Sequence, residues 1–240
     1  MSLLRPMLVA LTLLLSGAAL AQDLPRVPPE AVGLLPERLE QVGRWLQAEI
    51  DGRKIPGAVL LIARQGKVAY FESFGRRDAS SDVPMARDAI FRIYSMTKPI
   101  ASVAAMMLVE DGRLALDDPV ARYIPEFASV TVGVETPGQA GAGATLERVP
   151  ARRPMTVHDL LRHTSGLTYG FFGDTPVKRA YRAAGVDPDA NDSLSAFASR
   201  LAALPLHFQP GSTWDYGVST DLLGRVIEVA GGMPLSQFLK

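Results

Sequence analysis

The run Phe91-Arg92-Ile93-Tyr94-Ser95-Met96-Thr97-Lys98-Pro99-Ile100 leads straight into an apolar stretch from Ala101 to Val109, and it constrains the chain more than any other segment. Proline is tolerated only in the first turn of a helix, so Pro99 pins a helix start close to Ser95. The apolar stretch predicts that this helix is buried. Ser95 and Lys98 lie three apart, share one helix face and are within reach of each other. The hydroxyl then sits at the positive end of the helix dipole, where developing negative charge is favoured. A serine is a poor nucleophile until another group takes its proton. A lysine can take it once burial in a dry site lowers its pKa. The pair therefore reads as a nucleophile and its base. The same spacing also fits an N-cap serine beside an exposed first-turn lysine. Context favours the first reading, because the chain otherwise prefers arginine and has lysine only at positions 54, 67, 98, 178 and 240.

Residues 1–21 read as a secretory signal. Arg5 supplies the positive start, Met7 to Leu15 the apolar core and Ala19-Leu20-Ala21 a small-x-small cleavage site. That core is too short to span a bilayer. The mature chain is expected to begin at Gln22 and to work in the periplasm or outside the cell with no stable membrane anchor. What remains is one large domain or two small ones, with ample material for a core. The absence of cysteine excludes disulfides, a thiolate metal site and a lipid-anchored cysteine. Twenty-five basic residues balance 25 acidic ones, which argues against nucleic acid and against a polybasic membrane surface.

After a proline-rich leader, Leu39, Val42, Trp45, Leu46 and Ile50 follow helical spacing over 36–51, with Pro36 at the start and Gly52 at the stop. Two β-rich runs, 57–63 and 68–74, flank Arg64-Gln65-Gly66-Lys67, a pairing that suits a tight hairpin with positive φ at the glycine. Beyond the Ser95 helix, Pro119 is expected to start a short helix that ends by Pro125. Residues 129–155 read as a surface insertion around Gly-Gln-Ala-Gly-Ala-Gly, with short β-like pieces at 130–134 and 146–149. It is not a phosphate loop, because no Gly-Lys-Ser/Thr follows. Thr156 and Asp159 imitate a capping box for a helix that ends at Gly166. Two helical patterns within 175–204 are separated by Asp187-Pro188. An amphipathic helix through Leu222, Leu223, Val226, Ile227 and Ala230 closes at Gly231-Gly232, and Pro234 opens a last helix.

Tyr216 follows a turn and precedes a helix between Gly211 and Gly217, so its ring is placed to reach a pocket edge, although core packing is the usual fate of a tyrosine. A phenol near an ammonium loses or relays its proton more readily. Neither a Gly-x-Ser-x-Gly elbow nor a His-Glu-x-x-His pair is present. His158 and His163 read as capping or surface residues, and His207 has no evident partner. No cofactor, metal or nucleotide is implied.

Taken together, Ser95-Met96-Thr97-Lys98, then Leu160-Leu161-Arg162-His163-Thr164-Ser165-Gly166-Leu167, then Pro210-Gly211-Ser212-Thr213-Trp214-Asp215-Tyr216 resemble, in order and spacing, the serine β-lactamase-like family. That family includes class C β-lactamases, D,D-peptidases and family VIII carboxylesterases. The resemblance covers roughly 32–240. It implies an α/β (α+β) fold of the β-lactamase/transpeptidase type: a mostly helical part, 95–240, beside the N-terminal helix and hairpin, 22–94, of an antiparallel sheet. It also implies Ser95 as the acylated nucleophile, Lys98 as its base, Tyr216 as a proton relay and the Ser95 N–H as one oxyanion donor. His163-Thr164-Ser165-Gly166 corresponds to a structural helix end.

Two departures matter. Where the lactamase pattern reads Tyr-x-Asn, this chain has Val218, as in the esterase branch, so the amide that contacts the acylamido group of β-lactams and peptides is missing. Ser219 offers itself as a substitute donor or as a cap of the next helix. The family's later strands and its Lys/His-Thr/x-Gly motif have no counterpart up to Lys240, so the sheet is expected to be only the hairpin and the chain to be a fragment or truncated product. The sequence therefore predicts a serine hydrolase on small esters. A β-lactamase or D-Ala-D-Ala carboxypeptidase is the rival enzyme, and an inactive binding or sensor domain the rival of another class.

Overall fold

Two units make up the chain, Met1–Arg92 and Ile93–Lys240. The computed structural model describes residues 23–136, 145–186 and 193–240. The expected signal at 1–21, the glycine-rich core at 138–143 and the Asp187-Pro188 break lie outside the described residues.

In the first unit, helix α1 (Pro36–Asp51) starts on Pro36 and buries Leu39 and Gly43. Gly52 stops the helix with its N–H on the Ala48 carbonyl, yet the left-handed position falls to Arg53 at φ 57°. Strands β1 (Gly57–Arg64) and β2 (Lys67–Gly75) pair antiparallel, with a bulge between Ile62 and Ala63. Both turn residues, Gln65 and Gly66, take positive φ, which matches the right-handed twist of the strands. Gly43 lets α1 close on β2, since a Cβ there would sit 3.0 Å from the Tyr70 hydroxyl and 3.3 Å from the Phe74 ring. The leader hydrogen-bonds to β2, Val68 N–H donating to Pro25 and Val27 N–H to Val68, and then forms a 3₁₀ turn at Pro29–Val32.

The second unit is built on α6. In order, it contains a 3₁₀ turn at Tyr94–Met96, α2 (Thr97–Glu110), β3 (Thr131–Thr136), β4 (Thr145–Pro150), α3 (Val157–Leu161), α4 (Pro176–Ala183), α5 (Leu194–Ala202), α6 (Ser219–Gly231) and α7 (Leu235–Phe238). Leu222, Leu223, Val226 and Ile227 of α6 are fully buried, and the helix packs against α2, α3, α5 and α7. Its helical spacing therefore lines one continuous stripe with core residues. From α2 come Leu108 and the small side chains Ala101, Ala104 and Ala105, which let the two helices approach closely.

Two expectations require correction. The helix after Ser95 is buried on one face only, for Val103 is 61% exposed and Met107 53%. Residues 116–125 form no α-helix but 3₁₀ turns at Val120–Arg122 and, just beyond, Pro125–Ser129. There the Asp118 carboxylate accepts from the Ala115 N–H at 2.9 Å and from the Arg122 guanidinium at 2.6 Å. The sheet of the first unit is, as expected, only the hairpin of β1 and β2, while β3 and β4 form a second, separate antiparallel pair from Thr131–Pro150 to Thr136–Thr145. Leu206 bonds β3 as well, donating to Thr131 at 2.7 Å and accepting from Gly133 at 2.8 Å. The closing helix, α7, is a single turn.

Asp159 anchors the start of α3. The capping box forms in full, with Thr156 accepting from the Asp159 N–H and the Asp159 carboxylate accepting from the Thr156 N–H. The carboxylate, 1% exposed, also takes two guanidinium bonds from Arg153, at 2.7 and 2.8 Å, and the Thr164 hydroxyl at 2.9 Å. Burial alone would raise this carboxyl, but Arg153, the Thr156 N–H and the Thr164 and Thr156 hydroxyls hold it down at about 2. A depressed folded-state value contributes stability that is present above the ordinary aspartate value and is lost as the pH falls through the folded one. Asp159→Asn is expected to remove about 2 kcal/mol at pH 7 in urea unfolding. The gap between the two proteins should narrow progressively below pH ~4.

Candidate active site

Tyr94 ends the approach to α2 in the left-handed region, at φ 46°, a conformation a non-glycine residue holds only when its surroundings impose it. Ser95 follows in the 3₁₀ turn and Lys98 in the first turn of α2. The Lys98 ammonium donates to Ser95 Oγ at 3.1 Å, so the spacing places the two groups in contact. Lys98 also holds its helix turn, its carbonyl accepting from the Ser102 hydroxyl at 2.9 Å.

Tyr216 arrives from 121 residues along the chain, its hydroxyl 2.5 Å from Ser95 Oγ. A close backbone approach makes this possible: a Cβ on Gly217 would lie 2.5 Å from the Thr168 Cα and 2.7 Å from the Leu167 carbonyl oxygen. Only glycine fits there. A ladder between 163–166 and 207–215 fixes the register. Asp215 N–H donates to His163 O, Gly211 N–H to Thr164 O and His207 N–H to Gly166 O. Gly166 itself, at φ 84°, would set a Cβ 2.1 Å from the Phe208 carbonyl oxygen. Below the site Ser165 and Ser219 share a buried hydrogen bond of 2.8 Å, and Leu167 N–H donates to Ser165.

All three residues singled out from the sequence thus come together. The expected direction of the Lys98 shift does not hold. Burial pushes its pKa down, but the hydrogen bond with Tyr216 and the phenols of Tyr169 and Tyr216 outweigh burial, and Lys98 ends above its ordinary value. Tyr216 moves the other way. Burial raises it, while the hydrogen bonds with Lys98 and Ser95 and the Lys98 charge bring it below the ordinary phenol range. The two shifts leave a positive amine beside the more readily ionised phenol.

Sequence reasoning missed two neighbours. Tyr169 offers a second phenol to Lys98 at 3.5 Å, and its ring meets Tyr216 edge-on at 5.6 Å. The signal was an aromatic run, Tyr169, Phe171 and Phe172, in a loop flanked by glycines. Cations of α4 pin that loop: Lys178 donates to Phe172 O, and Arg182 to Gly170 O and to Asp174. Of the two roles expected for it, His163 takes the capping one and is half-buried. It takes the left-handed position after α3, at φ 57°, and packs on the Tyr216 ring at 4.9 Å. Burial and the Lys98 charge lower its pKa, and its Nδ1 accepts from the Gly217 N–H, which leaves the proton on Nε2. His158 is exposed, as expected.

His207 does have a partner, for its Nδ1 lies 2.8 Å from the Asp215 carboxylate. The pair braces the residue ahead of Tyr216. Val218 is fully buried in the core and presents nothing polar to the site. Ser219 neither reaches the site nor caps α6, because its hydroxyl is engaged by Ser165. Among the described residues no three His, Cys, Asp or Glu side chains are grouped as metal ligands would be.

A helical unit that joins a serine, a lysine and a distant tyrosine at one helix start belongs to the β-lactamase/transpeptidase-like fold class, as its structural neighbours do. The chain is a member of the beta-lactamase family, whose model matches residues 42–240. An uncharacterized protein of Mycobacterium tuberculosis is 40% identical over 192 residues, 79% of this chain and 45% of that protein. Esterase EstB of Burkholderia gladioli is 39% identical over 186 residues, 77% of this chain and 43% of the esterase. The structure of EstCE1, a hydrolase with promiscuous acyltransferase activity, aligns with a TM-score of 0.68 at 32% identity, covering 84% of this chain and 49% of that one. The chain spans about half the length of these relatives.

The Gly217 contact sets the geometry around Ser95. Gly217→Ala is expected to destabilise by about 1–3 kcal/mol, because the added methyl meets backbone and not a flexible side chain. Thermal unfolding checks it, and an unchanged Tm would contradict the close approach.

Proposed function

We propose that the protein is a serine hydrolase that forms an acyl-enzyme on Ser95 and acts on small carboxylic esters. The observation that carries this reading is the double contact of Ser95 Oγ, 2.5 Å from the Tyr216 hydroxyl and 3.1 Å from Lys98 Nζ. Tyr216, as phenolate, accepts the Ser95 proton while Oγ bonds to the ester carbonyl carbon. The tetrahedral adduct then expels the alkoxide, which takes the proton back from Tyr216. Water enters, gives its proton to Tyr216 and attacks the acyl carbon, and Ser95 leaves reprotonated with the carboxylic acid released. Throughout, the Lys98 ammonium stabilises the negative charge that passes between the two oxygens. The Ser95 N–H is assigned as one oxyanion donor.

Esters are favoured over lactams and peptides for two reasons. Val218 is buried where an amide would be needed to bind an acylamido group, and Ser219 is engaged elsewhere. The likeness to EstB and EstCE1 points the same way. An alcohol in place of the deacylating water would turn hydrolysis into acyl transfer, the second activity named for EstCE1. The leader at 1–21 directs the activity to the periplasm or the outside of the cell.

The full-length protein offered a short-chain nitrophenyl ester tests the assignment. Ser95→Ala is expected to fall to background and Tyr216→Phe to lose roughly 10²–10⁴-fold in kcat. Turnover that survives Ser95→Ala refutes the reading. Turnover of nitrocefin or a D-Ala-D-Ala peptide without ester turnover reverses the order of substrates.

A further inference from the structure

Tyr216 stands within a row of five aromatic rings. Trp214 stacks on Tyr216 with centroids 6.3 Å apart, and Tyr216 meets Tyr169 edge-on at 5.6 Å. Tyr169 in turn stacks on Phe171 at 4.8 Å and meets Phe172 at 6.0 Å, and the two phenylalanines lie 4.5 Å apart. The chemistry described above uses the inner rings and leaves the outer ones without a role. Trp214 is 65% exposed, Phe171 57% and Phe172 50%. Exposed apolar area that is continuous with a reactive centre marks a ligand surface, unlike single apolar residues scattered over a protein. The row is also held still. Gly170 lies against α4, where a Cβ would meet the Arg182 side chain at 2.9 Å and its backbone nitrogen at 3.0 Å. Arg182 donates to the Gly170 and Gly173 carbonyls, and Lys178 to that of Phe172. The charges that border the loop are spent on one another, Asp174 pairing with Arg179 at 3.0 Å and with Arg182. The exposed rings therefore offer a fixed apolar face with no charge of its own.

We propose that this row binds the alcohol portion of the ester and selects an uncharged alcohol that carries a bulky apolar ring. The inference rests on the acyl-enzyme reading above and names the substrate class of that site. In that reaction Ser95 Oγ bonds to the acyl carbon, the bond from that carbon to the ester oxygen breaks, and the departing oxygen takes its proton from Tyr216. The departing oxygen must therefore come within hydrogen-bond distance of the Tyr216 hydroxyl, and the group it carries lies beside the rings next to Tyr216. Trp214 and Tyr169 flank the Tyr216 ring directly, and Phe171 and Phe172 extend the surface beyond Tyr169. Rings at these spacings accept an aromatic or alicyclic group by stacking and by edge contact. Such contacts are made away from the scissile bond and serve to hold the ester oxygen at Tyr216. An alcohol as short as ethanol does not span from Tyr216 across Tyr169 to the phenylalanines and forgoes them.

The test compares ethyl acetate with naphthylethyl acetate, using the full-length protein and acid release as the readout. Both are acetates of primary alcohols, so the ratio of their kcat/KM values reports the alcohol portion. The naphthylethyl ester is expected to be favoured by roughly tenfold or more, and the double variant Phe171→Ala with Phe172→Ala to lower the ratio roughly tenfold. Phe171→Leu with Phe172→Leu keeps apolar bulk without the rings and should lie between. Each ratio is read within one preparation, so a partial loss of folded protein cancels. A second pair, nitrophenyl acetate and nitrophenyl cyclohexanecarboxylate, varies the acid portion, and its ratio is expected to stay the same in both variants. A ratio that moves for the acid pair as much as for the alcohol pair, or more, overturns the assignment to the alcohol. Ser95-dependent turnover with the alcohol ratio unmoved, as when another part of the protein covers these rings, overturns this inference alone. Turnover indifferent to Ser95→Ala overturns the acyl-enzyme reading, and this inference falls with it.

Discussion

The Lys98 ammonium is the charge around which the second unit arranges its chemistry. It lies 3.1 Å from the Ser95 hydroxyl and 4.8 Å from the centre of the Tyr216 ring, with Tyr169 on a further side. A cation ringed by phenols and a hydroxyl is stable as a cation, and this is why burial fails to neutralise it. The consequence passes to Tyr216, whose proton is the easier one to remove. The amine therefore stands as a positive charge beside the more readily ionised phenol.

What holds those groups within ångströms of each other is mostly backbone. The His163 to Gly166 segment hydrogen-bonds to 207–215, Gly217 lies against Leu167 and Thr168, and Ser165 ties the same segment to α6 through Ser219. The Asp159 network fixes the segment's other end by way of Thr164. A serine held on a helix start and a tyrosine held on a glycine-lined turn have little freedom to separate, which is what preorganisation requires. The ring of His163, kept neutral, packs on Tyr216 without adding a second cation.

Much of this was legible in the sequence wherever a local rule governs. Pro36, Pro99 and Gly66 announced their elements, and the stripe from Leu222 to Ala230 announced the central helix. Ser95 and Lys98 were readable because three residues on a helix is a fixed distance, and Tyr216 because a motif in register marked it. The rest depends on long-range closure. Nothing local says that His207 meets Asp215, that Tyr169 reaches Lys98 or that 131–136 pairs with 145–150. The direction of the Lys98 shift was misread because desolvation can be guessed from an apolar run, whereas opposing partners from distant segments cannot.

Covalent labelling measures the central relation most directly, because it asks only whether Ser95 is activated. Treated with a fluorophosphonate and examined by intact mass and peptide mapping, the protein is predicted to gain a single adduct, located on Ser95, at a rate that drops sharply in Tyr216→Phe. An adduct on another serine, no adduct at all, or labelling that is indifferent to the loss of the Tyr216 hydroxyl would contradict the account.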